Sequence, residues 1–294
     1  MLLVRVRAGG KETQTMATWF ITGASRGFGR HVAAEALRRG ENVAATARNT
    51  EALTDLVEQF GDRVLPLALD VTSPEQVTAA VAAAEQRFGG IDVAFNNAGI
   101  GYFAAFEESE DSEARRMVEI NVFGLAAVTK AVLPGMRARR SGTILNVSSV
   151  GGLRSFPAVS WYNATKFAVE GLSESLAQEV APLGIRVILV EPSGFATDWA
   201  GNSAAEVGAA DVIADYDSTA GEYRRNFRAG AGEEPGDPQR AAVAIVDVAG
   251  EQTPPLRLPL GNFAYDGILD KLDAVRADIA DREKLSRGTD REHP

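Results

Sequence analysis

Hydrophobic residues along the chain fall into two alternating patterns. Short runs that are apolar throughout are separated by longer stretches in which apolar residues recur every three or four positions. The first pattern is typical of buried parallel strands and the second of amphipathic helices, so their alternation predicts a βαβ arrangement. The pattern predicts seven strands, at residues 19–22, 42–47, 64–69, 91–95, 143–147, 185–190 and 256–260.

Start and stop signals mark several of the predicted helices. The Ser-Pro-Glu-Gln segment at residues 73–76 combines an N-cap serine, a proline in the first turn and a glutamine placed to complete a capping box. We expect this helix to run to about Phe88. Glycines stand between a helical stretch and the next strand, where a left-handed C-cap residue is expected, at Gly40, Gly89 and Gly184.

These elements predict one large domain. The 294 residues would allow two domains, but α/β sheets covered by helices often exceed about 250 residues as one unit. The expected fold is a single doubly wound Rossmann-type α/β domain, with seven mainly parallel strands and helices on both faces. We expect it at residues 16–285, between a flexible extension at residues 1–15 and a polar tail at residues 286–294. Residues 194–236 lack an apolar strand and are expected to form a substrate loop or lid.

Composition and charge exclude several classes of function. With 30 basic and 40 acidic residues the formal net charge is −10, which argues against nonspecific nucleic-acid binding. The chain has no cysteine and two histidines, so thiol chemistry and a multi-histidine metal site are excluded, and we expect no metal. His31 and His293 lack the partners of a hydrolase triad. The acidic pairs at residues 107–108 and 233–234 are interpreted as solvated charges.

The sequence shows no targeting or membrane-spanning signal. Arg5 and Arg7 break the apolar start of the first 15 residues after four positions, which is too short for a secretory signal. No uncharged apolar run elsewhere approaches the ~20 residues needed to span a bilayer. We therefore expect a cytoplasmic protein without a membrane partner.

A glycine-rich loop follows the first predicted strand. Residues 22–29 read Thr-Gly-Ala-Ser-Arg-Gly-Phe-Gly and lead into a helical stretch at residues 30–39. Gly23 would permit a tight turn, Gly27 a close approach of a pyrophosphate, and Gly29 close packing of helix on strand. The free N–H groups of the helix N-terminus would then face the phosphates. Ordinary αβ corners also use glycine, but the order of strand, loop and helix favours a dinucleotide site.

The second predicted strand indicates which dinucleotide binds. An acidic residue at its end would favour NAD by binding the ribose 2′-hydroxyl, whereas NADP needs a neutral residue and nearby cations. Here the strand ends in Ala47 and Arg48, and Arg26 in the glycine loop supplies a second guanidinium suited to a phosphate. The alternative is that both arginines are solvated surface charges. The sequence favours NADP(H), with NAD(H) as the second choice.

A tyrosine and a lysine stand one helical turn apart beyond the fifth predicted strand. Tyr162 lies 13 residues after Ser149, and Lys166 shares its helix face. A phenol has a pKa near 10 and exchanges protons poorly at pH 7, but an adjacent ammonium favours its phenolate. The pair can therefore act as a general acid or base, although a plain surface contact would give the same spacing.

Together these motifs resemble the short-chain dehydrogenase/reductase family, in its shorter orthodox branch. Residues 22–29 match the family's TGxxxGxG loop, residues 96–99 its Asn-Asn-Ala-Gly motif, and Asp70-Val71 its acidic dipeptide that contacts adenine. The family's catalytic tetrad is matched by Asn121, Ser149, Tyr162 and Lys166. The resemblance covers residues 17–200, with thinner likeness to residue 285. Later segments are similar to a bacterial sub-group akin to retinol and 17β-hydroxysteroid dehydrogenases.

The resemblance implies an NADPH-dependent carbonyl reductase or alcohol dehydrogenase. Ser149 and Tyr162 would hold the substrate oxygen while hydride passes between the nicotinamide and the carbonyl carbon, with Tyr162 transferring the proton. Lys166 would bind the nicotinamide ribose and lower the pKa of Tyr162. Asn121, at a kink in its helix, would hold a water that relays protons to Lys166.

The resemblance also implies the remaining cofactor contacts. After the sixth predicted strand the family usually reads PGxxxT, whereas this chain has Ser193 in place of the first glycine and keeps Thr197 for the nicotinamide carboxamide. Ser148 adjoins Ser149, and the 13-residue offset to Tyr162 selects Ser149. The expected cofactor-binding residues are Gly23, Ser25, Arg26, Gly27, Phe28, Gly29, Arg48, Asp70, Val71, Asn97, Ala98, Gly99, Tyr162, Lys166, Pro192, Ser193, Gly194 and Thr197.

Substrate and partners are predicted more coarsely. A fairly apolar ketone or secondary alcohol is favoured by the aromatic residues Tyr102, Phe103, Phe106, Trp161, Phe195 and Trp199. The resemblance implies a homodimer or homotetramer, with residues 170–180 in the interface. A non-catalytic dinucleotide sensor on the same fold is the alternative, although its usual mark is a lost tyrosine or lysine. An epimerase or dehydratase of the longer branch would need a larger C-terminal domain and a TGxxGxxG loop, and neither is seen.

Overall fold

The structure is a computed structural model that describes residues 16–197, 199, 201 and 204–291. The predicted extension at residues 1–15 and His293 lie outside the described residues. Within them, the strands are β1 (Thr18–Ile21), β2 (Asn42–Ala47), β3 (Val64–Ala68), β4 (Val93–Asn96), β5 (Gly101–Phe103), β6 (Gly142–Val147), β7 (Ile185–Pro192), β8 (Ala204–Glu206) and β9 (Arg257–Leu260).

Helices occupy most of the chain between these strands. A π-helical turn, Glu119–Gly124, joins the fourth helix to the fifth without a break. The helices of the described chain are α1 (Gly27–Arg38), α2 (Thr54–Phe60), α3 (Pro74–Phe88), α4 (Asp111–Val118), α5 (Leu125–Arg139), α6 (Ser160–Val180), α7 (Glu222–Ala229), α8 (Pro238–Ala249), α9 (Asn262–Ala280) and α10 (Glu283–Arg287).

Seven strands form one parallel sheet in the order β3-β2-β1-β4-β6-β7-β9. All seven predicted strands are therefore confirmed, as is the doubly wound α/β fold. The chain progresses outward from β1 in one direction through β2 and β3, and in the other through β4, β6, β7 and β9. The order thus reverses between β1 and β4, and in such sheets the crevice at the carboxyl ends of the strands is where ligands bind.

Helices cover both faces of the sheet because its strands are apolar on both sides. On one face Trp19 and Ile21 pack with the buried residues of α1 and α8. On the other face Phe20 packs with the buried residues of α3 and α5. Successive side chains of β1 thus enter opposite cores, as the pleat of a strand requires.

The predicted helix boundaries hold with one difference in the capping box. Gly40, Gly89 and Gly184 have positive φ angles of 90°, 85° and 73°, as expected for left-handed C-caps. The Ser73 hydroxyl accepts the N–H of Gln76 at 3.3 Å, but the Gln76 side chain accepts the N–H of Asp70 at 2.8 Å rather than that of Ser73. Ser73 donates its own N–H to the Asp70 carbonyl, so the box is only half formed.

Two further features depart from the sequence expectations. β5 and β8 pair as a separate two-stranded parallel sheet, and β8 falls within residues 194–236, where no strand was expected. Strands of three residues are too short to give a readable pattern. Near the C-terminus, α10 crosses the predicted domain boundary at residue 285, and residues 281–291 are exposed, as expected of a polar tail.

The continuous helix Asp111–Arg139 is long and apolar enough, by length and composition alone, to cross a membrane. It has 29 residues, and its most apolar window has a mean hydropathy of 1.4. Its buried residues Val128, Val132 and Met136 pack against the sheet, and Lys130 interrupts the apolar run. A core helix of an α/β domain accounts for this composition.

Candidate active site

A cavity of about 1090 Å³ opens at the carboxyl ends of the central strands. Its walls include Gly23 after β1, Asn97 after β4, Ser149 after β6 and Pro192 at the end of β7. This is the crevice at which the strand order reverses. The fold therefore brings together four motifs that are far apart in the sequence.

The glycine loop leaves one side of the cavity open to an anion. Gly23 and Gly27 have φ angles of 66° and 56°, which side-chain-bearing residues rarely adopt. At Gly29 a Cβ atom would lie 2.6 Å from Asn97 Nδ2 and still closer to the Gly23 carbonyl oxygen. Arg26 occupies the N-cap of α1 and makes no side-chain capping hydrogen bond. The first N–H groups of α1 are thus not capped by a side chain, which fits the phosphates of a dinucleotide.

The Asn-Asn-Ala-Gly motif holds this loop in place. Asn97 donates its backbone N–H to Thr22 Oγ1 at 2.9 Å. Its side-chain Nδ2 donates to the carbonyl oxygens of Thr22 and Gly23, at 3.0 and 3.1 Å. The motif therefore fixes the backbone that would face the pyrophosphate.

Charged residues line the far end of the cavity. The Asp70 carboxylate accepts hydrogen bonds from Thr72 N at 2.9 Å and Thr72 Oγ1 at 2.7 Å. These bonds, with a smaller contribution from the charge of Arg48, lower the pKa of Asp70 and keep it ionised. Arg26 and Arg48 line the cavity and are exposed, and neither side chain forms a hydrogen bond or ion pair with another described residue. Their guanidinium groups are available to a ligand.

Tyr162 and Lys166 are placed by the first turns of α6, beside the end of β6. Lys166 donates from Nζ to the Val147 carbonyl oxygen at 2.8 Å, and its Nζ lies 5.5 Å from the centroid of the Tyr162 ring. Ser149 Oγ accepts the N–H of Gly151 at 3.0 Å, so its hydroxyl is fixed at the mouth of the site. The structure thus brings Ser149, Tyr162 and Lys166 to one wall of the cavity.

Burial sets the protonation of these groups. It raises the pKa of Tyr162 to about 12, with Ser149 lowering it in part. Burial lowers the pKa of Lys166 to about 8, with the charge of Glu170 opposing the change. Loss of hydration therefore raises the phenol pKa in the folded chain, and the expectation that Lys166 lowers it stays a prediction.

Asn121 lies in the π-helical turn, where the sequence predicts a kink. Its Nδ2 donates to the Ile100 carbonyl at 2.9 Å and to Thr165 Oγ1 at 3.2 Å, and its Oδ1 accepts the N–H of Ile100 at 2.9 Å. The side chain therefore fixes the segment after the Asn-Asn-Ala-Gly motif and does not line the cavity. Its water-holding role stays a prediction.

Nearly all of the predicted cofactor-binding residues line the same cavity. Of the eighteen residues expected, only Gly29 does not line the cavity, and it acts by close packing on the loop instead. Ser193, which replaces the family's glycine, donates its N–H to Leu260 O at 3.0 Å. Thr197 lies across from Gly27, with its Cβ 3.8 Å from where a Cβ of Gly27 would be.

The predicted aromatic group is corrected by the structure. Only Phe195 and Trp199 of the six residues line the cavity, and the Trp199 ring lies 4.8 Å from the Tyr162 ring, centroid to centroid. Tyr102 and Phe103 are buried in small core clusters instead. Phe106 is exposed and stacks on Trp161.

Four further aromatic residues line the cavity: Phe156, Tyr223, Phe227 and Phe263. Tyr223 and Phe227 lie on α7, within the substrate loop predicted at residues 194–236. Sequence reasoning missed Phe156 and Phe263. Phe156 stands between Ser149 and Tyr162, so its position gave a signal, whereas no motif marks Phe263 in the first turn of α9.

Comparison with known proteins agrees with this geometry. A family model described as short chain dehydrogenase matches residues 17–208. The oxidoreductase BOA17 of Botryotinia fuckeliana is 46% identical over 249 residues, 84% of this chain and 90% of the relative. The 3-ketodihydrosphingosine reductase of Bacteroides thetaiotaomicron is 36% identical over 243 residues, 82% of this chain and 86% of the relative.

Solved structures extend the likeness to the fold and the cofactor. A short-chain dehydrogenase from Streptomyces avermitilis has a TM-score of 0.88 at 44% identity, covering 95% of this chain and 100% of the other. A 3-ketoacyl-(acyl-carrier-protein) reductase from Brucella melitensis complexed with NADH has a TM-score of 0.69 at 30% identity, covering 83% and 96%. ElxO with NADP bound has a TM-score of 0.70 at 27% identity, covering 85% and 99%. With its family match over residues 17–208, its Rossmann-type sheet and its open dinucleotide crevice, the chain belongs to the short-chain dehydrogenase family of NAD(P)-binding oxidoreductases.

Proposed function

We propose that the protein is an NADPH-dependent carbonyl reductase or alcohol dehydrogenase that acts on a fairly apolar ketone or secondary alcohol. The observation that carries this proposal is that Ser149, Tyr162 and Lys166 share one cavity with the uncapped N-terminus of α1. A proton donor and a dinucleotide site therefore face the same space. Hydride transfer needs both within reach of one carbonyl group.

The residues present fit a nicotinamide dinucleotide. The glycine loop and α1 would hold the pyrophosphate, Asp70 and Val71 the adenine, and the segment Pro192–Thr197 the nicotinamide. The cofactor supplies or accepts the hydride. Gly29 supports this fit because its missing Cβ is what allows the loop to approach Asn97.

The preference for NADP(H) rests on the end of β2. Arg26 and Arg48 line the cavity, neither side chain forms a salt bridge with another described residue, and the buried Ala47 puts no carboxylate against a 2′-phosphate. Replacing both arginines by alanine is expected to weaken NADPH binding at least tenfold and to leave NADH binding within about twofold, because only NADPH carries the extra phosphate. Isothermal titration with each cofactor measures this. A double variant with unchanged NADPH affinity would show that the arginines are surface charges.

Tyr162 is proposed as the proton donor for reduction. Its pKa of about 12 keeps the phenol protonated at neutral pH, which is the form that reduction requires. Ser149 would hold the substrate oxygen beside it, since its hydroxyl is already fixed by the N–H of Gly151. Lys166 would bind the nicotinamide ribose, and Asn121 would keep the neighbouring segment in place.

The substrate is proposed to be fairly apolar because aromatic side chains are frequent in the cavity wall beyond Tyr162. This wall includes Phe156, Trp199, Tyr223 and Phe227, and its polar members include Arg154, Glu222 and Asn226. The relative from Bacteroides thetaiotaomicron is by name a reductase of a ketone, 3-ketodihydrosphingosine. Such a wall favours a ketone with a hydrocarbon or aromatic body.

Residues 194–236 are proposed to act as a lid on this wall. The helix α7 of this segment contributes Tyr223, Asn226 and Phe227 to the cavity. Arg224 anchors the segment to the rest of the chain through Glu108, at 3.4 Å, and pairs with Glu206 inside the segment at 3.1 Å. Glu108 is buried, so its interpretation as a solvated charge is wrong. Hydrogen exchange with and without NADPH tests the lid: protection of α7 on binding is expected, and unchanged exchange contradicts it.

A homo-oligomer and a cytoplasmic location are also proposed. Phe123, Phe167 and Leu172 are exposed on α6 and the neighbouring π-helical turn, which supports burial of this surface against a second copy. Within residues 170–180, Glu170, Ser173 and Val180 face the core, so only the opposite face is available. Light scattering after size exclusion tests the oligomer, with Phe167→Asp expected to shift it towards monomer. Cell fractionation tests the location.

The central experiment follows absorbance at 340 nm with NADPH or NADH and a panel of ketones and aldehydes. Substrate-dependent loss of NADPH is expected, much slower with NADH. Tyr162→Phe is expected to bind NADPH as before and to lose at least 100-fold in turnover, because general acid catalysis contributes about 10²–10⁴. A variant that keeps a tenth of the rate would contradict the role of Tyr162. NADPH binding without turnover of any substrate would favour the sensor alternative.

A further inference from the structure

Two buried carboxyl groups lie behind the lysine of the site. Glu170 stands one helical turn after Lys166 on α6, and Glu191 lies near the end of β7. Glu170 is 4% exposed and Glu191 is fully buried. Neither lines the cavity, and the proposed reaction uses neither. Burying a carboxylate is unfavourable unless it is paired, so this placement calls for an explanation.

One guanidinium serves both carboxyl groups. Arg257 on β9 places Nη2 3.3 Å from Glu170 Oε2 and Nε 3.7 Å from Glu191 Oε1. Its Nη2 also lies 3.2 Å from Glu174 Oε2, at the surface. Among the described residues, none of the four oxygens of Glu170 and Glu191 accepts a hydrogen bond of good geometry, although the Ser148 hydroxyl is close enough to lower the pKa of Glu170. The cluster thus sets three carboxyl groups against a single guanidinium.

A shared proton resolves the imbalance. Two adjacent buried carboxyl groups do not both ionise readily, since burial and mutual repulsion oppose the second charge. Burial raises the pKa of both groups, and the charge of Glu170 raises that of Glu191 further. Arg257 and the nearby Ser148 hydroxyl lower the pKa of Glu170 in part. The proton therefore belongs on Glu191 and the negative charge on Glu170.

Glu170 follows Lys166 by four residues on α6, so both side chains lie on the same helix face, and both are buried. Lys166 is faced by the Val147 carbonyl from β6, by the Tyr162 phenol from its own helix and by Glu170 one turn further on. Behind Glu170 stand Glu191 on β7, Arg257 on β9 and Glu174 on α6. Burial opposes a charged lysine, and Glu170 is the group that favours it.

We propose that Glu170 is a positioning residue whose negative charge, maintained by a proton on Glu191 and by Arg257, keeps Lys166 protonated at neutral pH. The cluster of Glu170, Glu191 and Arg257 thus determines the charge of Lys166 from behind the cavity wall. Its effect on turnover rests on the proposed function, in which Lys166 acts as a cation beside Tyr162. Its effect on Lys166 itself does not depend on that function.

The direct test is an NMR titration of the lysine side chains in the free protein. The chain has five lysines, and Lys166→Met assigns the signal of Lys166. Glu170→Gln removes the negative charge and is expected to lower the pKa of Lys166 by about one unit, a tenfold loss of proton affinity. Glu191→Gln is the matched control: it replaces a neutral acid by a neutral amide in the same cluster and should change that pKa by less than about 0.3.

The proposal requires that Glu170→Gln and Glu191→Gln differ in their effect on the pKa of Lys166. If both shift the pKa of Lys166 equally, or if Glu170→Gln leaves it unchanged, the proposal is overturned. Glu170→Asp keeps the charge and is expected to restore most of the wild-type value. If Glu170→Gln does not fold, Arg257→Gln replaces it: this change removes the cation that keeps Glu170 ionised, so the pKa of Lys166 must fall, and an unchanged value overturns the proposal.

The pH dependence of ketone reduction is the second readout. A reaction that needs protonated Lys166 loses rate as pH rises through the pKa of that group. The basic limb of kcat/KM is expected to move to lower pH in Glu170→Gln and to stay in place in Glu191→Gln. A uniform loss of activity in both variants without movement of the limb would mean a merely structural role and would overturn the proposal. If the wild type reduces no ketone, the proposed function fails, whereas the titration still decides the role of Glu170.

Discussion

Replacing Lys166 by methionine is expected to abolish the proposed activity and at the same time to stabilise the fold. Lys166 is 6% exposed, and burial lowers its pKa from an ordinary value of 10.5 to about 8. That difference corresponds to about 3 kcal/mol of unfavourable free energy for the charged form at pH 7. Methionine has a similar length and an apolar, adaptable side chain, so it removes this penalty with little change in packing.

One hydrogen bond is lost in the exchange, whereas the interaction with the charge of Glu170 is already contained in the pKa of Lys166. The Nζ of Lys166 donates to the Val147 carbonyl at 2.8 Å, and removing this hydrogen bond costs about 1 kcal/mol. The variant is therefore expected to be more stable than the wild type by about 2 kcal/mol at pH 7. Urea denaturation followed by circular dichroism measures the difference.

The stability difference must also depend on pH with a definite sign. The pKa of Lys166 is lower in the folded chain than in the unfolded chain, so between about 8 and 10.5 the folded state binds fewer protons. The free energy of unfolding of the wild type therefore rises as pH increases through that window. The variant lacks the titrating group, so its free energy of unfolding does not show this rise. The advantage of Lys166→Met should therefore shrink between pH 8 and pH 10.5.

A matched control separates this effect from the loss of any lysine. Lys130 is exposed on α5, and Lys130→Met should show no comparable change in its stability difference between pH 7 and pH 10. The reasoning is refuted if Lys166→Met is less stable than the wild type at pH 7. It is also refuted if its advantage is the same at both pH values.

Three further predictions concern other parts of the molecule. Gly29→Ala is expected to weaken NADPH binding at least tenfold in calorimetry, because its Cβ would meet Asn97 Nδ2 at 2.6 Å, whereas Gly171→Ala, with nothing within 4 Å, should leave binding unchanged. Ser73→Ala should lower the free energy of unfolding by about 1 kcal/mol through loss of the N-cap of α3, and no loss in urea titrations would contradict the capping role. Arg224→Met leaves the buried Glu108 carboxylate without its cation and should destabilise the chain by about 3 kcal/mol, with faster proteolysis within residues 194–236; equal proteolysis would show that Arg224 does not anchor the segment.

The sheet and the cofactor loop were predictable because their signals are local. A strand buried on both faces must be apolar throughout, and the segments around Phe20, Ala45 and Ile188 show this without any knowledge of their neighbours. The glycine loop is equally local, since Gly23 and Gly27 are required by their own backbone angles. The capping box of α3 was half wrong because the side chain of Gln76 had a competing donor, the N–H of Asp70, that spacing alone did not identify.

The aromatic lining of the cavity and the charged cluster of Glu170, Glu191 and Arg257 could not be predicted from local signals. Phe263 lies in the first turn of α9, about a hundred residues after Tyr162, and only the folded chain brings both to one cavity. Tyr102 and Phe103 were counted among the aromatic residues that favour an apolar substrate, but the fold buries them in small core clusters.

The sequence by itself determined the Rossmann-type fold, the positions of its seven strands and most of the residues that line the cavity, because hydrophobic periodicity and backbone geometry depend on neighbouring residues. Tertiary structure alone decided the protonation of the site. The spacing of Tyr162 and Lys166 suggests a lowered phenol pKa, yet that pKa depends on how much water the fold removes and on which charges it brings near. Burial raises the pKa of Tyr162, and Glu170, Glu191 and Arg257 meet behind Lys166 only once α6, β7 and β9 have packed together.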